Sequence, residues 1–185
     1  MKHPETYDLF PTLVQKYNIT NDSTILDDIF SPKGSLNNVE PHNLLANAKR
    51  SVDANILDSY TKLKSSIQEA VDLYSQKIGI CRVAISQSWY NIADNGGFIT
   101  RHTHPGSVIS GAYYPFIENN YGGFVVENPN PHEVWNKLTK YNETAHDFEI
   151  KTDDLLLFPS RMNHFTEPNQ SGTRLCISFN TRYVD

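Results

Sequence analysis

The sequence predicts a mainly β fold with N-terminal helices, an antiparallel sandwich or barrel buttressed by helical structure. Three observations carry that expectation. The 185 residues fit one domain, expected to span 1–185, with 1–79 as N-terminal strand and helical support and 80–185 as the β core. After Gly79 the chain breaks into short β-branched and aromatic runs separated by Gly, Pro and Asn, the punctuation of strands and turns. The composition, 38% hydrophobic and 20% charged, is that of a globular chain, long enough to bury a core without disulfides or structural metal.

Taken in order, residues 7–19 (YDLFPTLVQKYNI) read as a short strand, and NDST offers N-caps for a helix over 22–30. Residues 31–42 carry Pro32, Gly34, Asn37, Asn38 and Pro41 and read as loop. Across 43–77 apolar residues recur three or four apart, from Leu44, Ala48 and Val52 to Ile67, Val71 and Tyr74. That spacing predicts one long amphipathic helix, or two with a break, laying an apolar stripe on the core. Seven strands follow, over 80–92, 107–117, 123–127, 146–150, 154–158, 163–167 and 173–183, with a further helix allowed only at 131–141.

Sixteen Lys and Arg against 21 Asp and Glu give a net charge of −5, which argues against a nucleic-acid groove or an anionic membrane surface as partner. MKHPETYDLF lacks the apolar stretch of a signal peptide, and no run approaches the roughly 18 apolar residues of a membrane helix. The expected location is the cytoplasm, or a host's cytoplasm if the chain is phage-encoded. Cys81 and Cys176 sit in apolar runs and are expected to be buried thiols. Sequons at Asn18, Asn21, Asn142 and Asn169 carry little weight without a secretion signal.

The chemistry concentrates on three histidines and one arginine. His102 and His104 form an H-x-H pair, which on an extended segment places both rings on one side, about 6.5–7 Å apart along the strand. Two such rings can converge on one cation, and imidazole selects a transition metal rather than magnesium or calcium. His164 follows a buried LLLF strand and the Pro159–Ser160 turn, so a third ring at the same mouth would complete a facial triad. Ten residues on, Arg174 stands among residues expected to be buried. A guanidinium cannot shed its proton there, so it needs either an anionic ligand's carboxylate or an ion pair to Asp153, Asp154 or Glu167.

HTHPGSVISGAYY at 102–114, GG at 122–123, DDLLLFPSRMNH at 153–164 and RLCISFN at 174–180 together resemble the iron(II)- and 2-oxoglutarate-dependent oxygenases. The similarity is greatest to a small branch found in marine bacteria and phages, with W-x-N, H-x-HP, SG-x-YY, FPS-x(3)-H and R-x(3)-SFN motifs. It covers residues 80–183, and LFPT at 9–12 is also similar. The resemblance implies a double-stranded β-helix, a jelly roll with helices packed on one sheet. It implies a dioxygenase with Fe(II) and 2-oxoglutarate as cofactors, hydroxylating a small-molecule or peptide substrate with molecular oxygen while 2-oxoglutarate becomes succinate. In that reading His102 and His164 are iron ligands and Arg174 grips the distal carboxylate of 2-oxoglutarate. Asn91 and Tyr113 or Tyr114 line the cosubstrate pocket, with Tyr113 taken as the pocket residue. Ser178 and Asn180 alternate with core residues on the Arg174 strand, so they either face the site or serve the polarity of the fold.

The wider superfamily has H-x-D or H-x-E, whereas this chain has His104 in the carboxylate position. His104 is expected to be the third ligand, with Glu127, Asp94 or a water as the other sources. A cupin shares the jelly roll, but Val108 and Ile109 stand where cupins usually carry a Glu, and a cupin has no usual role for Arg174. A non-catalytic sugar-binding or structural jelly roll is the other rival, with Trp135 and Tyr141 as stacking residues. The loops 93–101, 118–122 and 128–146 are expected to ring the site mouth, and they name neither the substrate nor the oligomeric state.

Overall fold

The computed structural model describes residues 12–20, 24–31, 38–118, 122–130 and 143–184. The first half contains β1 (Gln15–Asn18), α1 (Thr24–Phe30), β2 (Val39–Glu40), β3 (Leu45–Ser51), a 3₁₀ turn (Ile56–Ser59) and α2 (Thr61–Ile78). The second half contains β4 (Val83–Ile99), β5 (Ile109–Ile117), β6 (Phe124–Glu127), β7 (Ala145–Phe148), β8 (Asp154–Pro159), β9 (His164–Thr166) and β10 (Arg174–Tyr183). The seven strands expected after Gly79 are β4 to β10. Residues 7–11 of the expected first strand and the helix allowed at 131–141 lie outside the described residues, as do His132, Trp135, Tyr141, Asn21 and Asn142.

Seven strands form one antiparallel sheet in the order β1-β8-β5-β10-β4-β3-β2, and three form a second, β7-β6-β9. The double period of the strands sorts side chains into two cores. Leu155 and Leu157 of β8, Tyr113 of β5 and Leu175, Ile177 and Phe179 of β10 pack with α1 and α2 on one face. Leu156 and Phe158, Ala112 and Tyr114, and Cys176 point the other way, meeting Phe124 and Val126 of the small sheet. The result is the jelly roll, with the helices packed on the large sheet and a second layer between the two sheets.

The long helix expected over 43–77 is a correction. Within that span the α-helix is confined to Thr61–Ile78, preceded by the 3₁₀ turn, and there the apolar stripe holds, with Leu63, Ile67, Val71 and Tyr74 buried. It ends at Gly79 with φ 71°, where Gly79 N–H donates to Gln76 O and Ile80 N–H to Ser75 O, a Schellman close that a Cβ would strain. Leu45–Ser51 instead forms β3, because β2 and β4 flank it and satisfy its backbone on both sides. Leu44, Ala48 and Val52 suit either period, so tertiary pairing decides.

Cys176 is buried but Cys81 is exposed, since β4 begins only at Val83 and Cys81 lies in the connection from α2. Among the described residues, no helix is long and apolar enough to cross a membrane.

Candidate functional site

Between the sheets lies a cavity of about 200 Å³. Its floor follows from register. Gln87, Trp89 and Asn91 of β4 stand opposite Asn180, Ser178 and Cys176 of β10, and Ser178 stands opposite Ala112 of β5. All seven line the cavity.

His102 and His164 are joined through their backbones. His102 N–H donates to His164 O (3.0 Å) and His164 N–H donates back to His102 O (3.1 Å), an isolated bridge that ties the chain after β4 to β9. His104 N–H donates to Ser160 O (2.8 Å), so the Pro159–Ser160 turn holds the second ring of the H-x-H pair. That turn is itself held by a buried chain in which Ser160 Oγ lies 2.8 Å from Ser110 Oγ, and Ser110 donates to Asn180 Oδ1 (2.7 Å).

The ligand nitrogens of His102, His104 and His164 all lie within 4.8 Å of one another. His102 Nδ1 sits 2.7 Å from Thr100 O, and His164 Nδ1 sits 2.9 Å from Met162 O. A carbonyl only accepts, so both Nδ1 atoms carry the proton and both Nε2 lone pairs are free for a cation. His104 Nε2 lies 3.2 Å from His164 Nε2. Burial lowers the pKa of all three rings, His104 to about 4 and His164 to about 3, with the neighbouring rings adding to the effect. Neutral imidazoles that converge in a dry pocket are the donor set of a transition-metal site.

Neither carboxylate named as an alternative third ligand lines the cavity. Glu127 is paired with Arg101, and exposed Asp94 accepts from Thr173 Oγ1 (3.0 Å).

Arg174 is 2% exposed, and among the described residues it forms no ion pair. Asp154 is paired with Lys16, and Asp153 accepts from Tyr113, so neither neutralises it. Its guanidinium donates to Gly122 O (2.6 Å) and Thr166 Oγ1 (2.8 Å). Arg174 itself does not line the cavity, but Thr166 does. Thr166 Oγ1 also accepts from Ile99 N–H (2.9 Å), so with both lone pairs used its own O–H is left to donate. Thr166 is a site residue that the sequence did not announce.

Of the expected pocket residues, Asn91 and Ser178 line the cavity and are bonded to each other, Asn91 Nδ2 donating to Ser178 Oγ (3.2 Å). Tyr113 is a correction. It pairs across the ladder with Ile177, so it faces the helices, where its hydroxyl donates to Asp153 Oδ1 (3.0 Å). Tyr114, one residue on, lines the cavity. Its hydroxyl bonds the Cys176 thiol, and burial keeps it protonated while the charge of Arg174 is felt there. The sequence also missed Arg50 of β3, which lines the cavity and stands opposite Asn91. A strand reading of ANAKRS would have found it by parity.

The model of a 2OG-Fe(II) oxygenase family matches residues 87–180, the stretch that holds the three histidines and Arg174. No curated protein matches the chain. Among solved structures, a prolyl hydroxylase from Trichoplax adhaerens, in complex with a hypoxia inducible factor oxygen degradation domain peptide, is similar at TM-score 0.65 and 16% identity, over 91% of this chain and 82% of that one. A prolyl-4-hydroxylase from Pseudomonas putida is similar at TM-score 0.60 and 14% identity, over 96% of each chain. HygX from Streptomyces hygroscopicus, with nickel and 2-oxoglutarate bound, is similar at TM-score 0.61 and 11% identity, over 94% of this chain and 84% of that one. At such identities the likeness speaks for the fold.

Proposed function

Because the chain belongs to the 2OG-Fe(II) oxygenase family and is thereby an oxygenase using iron(II) and 2-oxoglutarate, we propose that His102, His104 and His164 hold the iron and Arg174 the distal carboxylate of 2-oxoglutarate. The observation that carries this assignment is the convergence of three neutral rings in a cavity whose wall residue Thr166 is bonded to a buried guanidinium without a counter-ion among the described residues. The residues present fit both groups. Bound iron(II) and 2-oxoglutarate supply oxidation of a substrate C–H bond by dioxygen, with 2-oxoglutarate leaving as succinate and carbon dioxide.

The chain's own residues bind, orient and exclude water. Thr100 and Met162 carbonyls fix the tautomers of His102 and His164, so Nε2 is the donor on each ring. Arg174 offers an uncompensated positive charge, Thr166 offers a hydroxyl donor at the wall between it and the cavity, and Tyr114, bonded to Cys176, lines the same cavity. Asn91 and Ser178 set the polar floor. Phe124 and Phe158 pack against His164, with centroids 5.5 and 4.6 Å away, and keep that side dry. The reaction is a hydroxylation, and a small molecule or a peptide segment is the substrate. The peptide bound by the Trichoplax enzyme supports the second option.

The test is anaerobic titration of the purified chain with iron(II) and 2-oxoglutarate. A charge-transfer band and release of succinate on admitting oxygen are expected, and the assignment fails if neither is seen. His104→Ala should lose iron and His104→Asp should recover part of it. Unchanged iron binding by His104→Ala would remove His104 from the ligand set.

A further inference from the structure

Arg50 is a guanidinium that lines the cavity itself, unlike Arg174, and is unused by the assignment above. It lies in β3, opposite Asn91 of β4, which in turn stands opposite Cys176 of β10. That places its backbone two strands, about 10 Å, from the β10 row. Its guanidinium carbon sits 4.3 Å from the centre of the Trp89 ring, and the same ring lies 5.8 Å from that of His104. Arg50 therefore stands by Trp89 and His104 on the Asn91–Cys176 row, whereas Arg174 lies on β10 in the row of Ala93 and Ala48.

The fork of Arg50 is almost unspent. Among the described residues it forms no ion pair, and its one hydrogen-bond contact is Nη1 to His42 Nε2 at 3.4 Å. His42 Nδ1 meanwhile lies 3.3 Å from Leu44 N–H. A neutral imidazole accepts at only one nitrogen, so the two contacts exclude one another, and both are long. Glu40, the partner of Arg50 in the β2–β3 ladder, is felt through its charge only. The described lining of the cavity contains Arg50 and the histidines but no Asp or Glu, in a chain of net charge −5. The cavity wall also carries the apolar residues Leu44, Leu45, Ile99 and Phe165.

We propose that the substrate of this oxygenase carries a carboxylate that docks on Arg50, with an apolar body lying along Leu44, Leu45 and Phe165. One guanidinium, partly offset by the field of Glu40, matches a single negative charge better than a phosphate dianion. The Trp89 ring supports the guanidinium by a cation–π contact, and a bidentate pair with the carboxylate would fix the substrate's orientation relative to the histidines. This proposal takes the identity of the reaction, but not the anion site, from the reading of the previous section.

The experiment uses 3-phenylpropionate and its uncharged amide as probes. Each is titrated by calorimetry into the anaerobic protein with iron(II) and 2-oxoglutarate, and also into the protein without them. The acid should bind the parent about tenfold more tightly than the amide in both states. Arg50→Gln should erase that preference and Arg50→Lys should keep part of it, with both variants checked for native circular dichroism. Arg174→Lys should leave the preference intact. Equal binding of acid and amide to the parent overturns the proposal, as does an acid preference that survives Arg50→Gln. Loss of the 2-oxoglutarate band in Arg50→Gln would also overturn it, because Arg50 would then serve the cosubstrate. A parent that prefers the acid yet shows no 2-oxoglutarate band sinks the iron assignment instead and leaves the anion site standing.

Discussion

Tyr113 and Tyr114 are neighbours in β5, yet one hydroxyl serves the helix-side core and the other the cavity wall. Tyr113→Phe should therefore cost about 1 kcal/mol of stability, the worth of its bond to Asp153, and leave 2-oxoglutarate affinity unchanged. Tyr114→Phe should weaken that affinity by calorimetry while the fold persists. Arg174→Lys keeps the charge and loses the fork, so binding should drop about ten- to a hundredfold, or roughly 1.5–3 kcal/mol. The three rings make a pH prediction. With pKa values held below the ordinary 6.5, the unfolded chain binds more protons than the metal-free native state once pH falls below about 7. Thermal stability of the metal-free protein should thus decline from pH 7 towards pH 4, and His164→Asn should flatten the decline. The motifs at 102–104, 164 and 174 made the triad and the arginine readable, because each sits in a strongly patterned segment. Which of two adjacent tyrosines faces inward depends on register, which a single strand's sequence does not contain.

At the scale of elements, β4 is where local pattern and tertiary context diverge most. It was expected to stop near Ile92, yet it runs to Ile99 through an irregularity at 94–97, where Ala93 opposes Ala48 and Phe98 opposes Ala46. Asn169 closes the gap, donating from its side chain to Ala93 O (2.6 Å) and from its backbone to Gly97 O (3.1 Å). A Cβ on Gly97 would meet Asn47 O at 2.5 Å. Gly97→Ala should therefore destabilise the protein by about 1–3 kcal/mol and weaken iron binding, since it displaces the strand end that leads to His102. Metal retention with a lowered melting temperature would show that the bulge supports the fold but does not set the site. The strand β3 was hidden because seven residues with helix-compatible spacing carry no mark of the partners on either side. Its misreading concealed Arg50.

Across the whole molecule, the reciprocal pair of hydrogen bonds between His102 and His164 is one of the links between the chain of the large sheet and the small sheet. In the proposed assignment both partners of that bridge would also offer their Nε2 atoms to one ion, so a clasp between the layers and the metal centre would share the same two residues. An ion bound there would hold residues from the two layers together. Local opening should thus be metered by metal occupancy. In amide hydrogen exchange, iron(II) or an inert substitute should slow the His102 and His164 amides far more than those of α2. A uniform slowing along the chain would mean that the ion merely raises global stability. With the localised slowing, the site would act as a latch, in which emptying the centre loosens the mouth through which substrate passes.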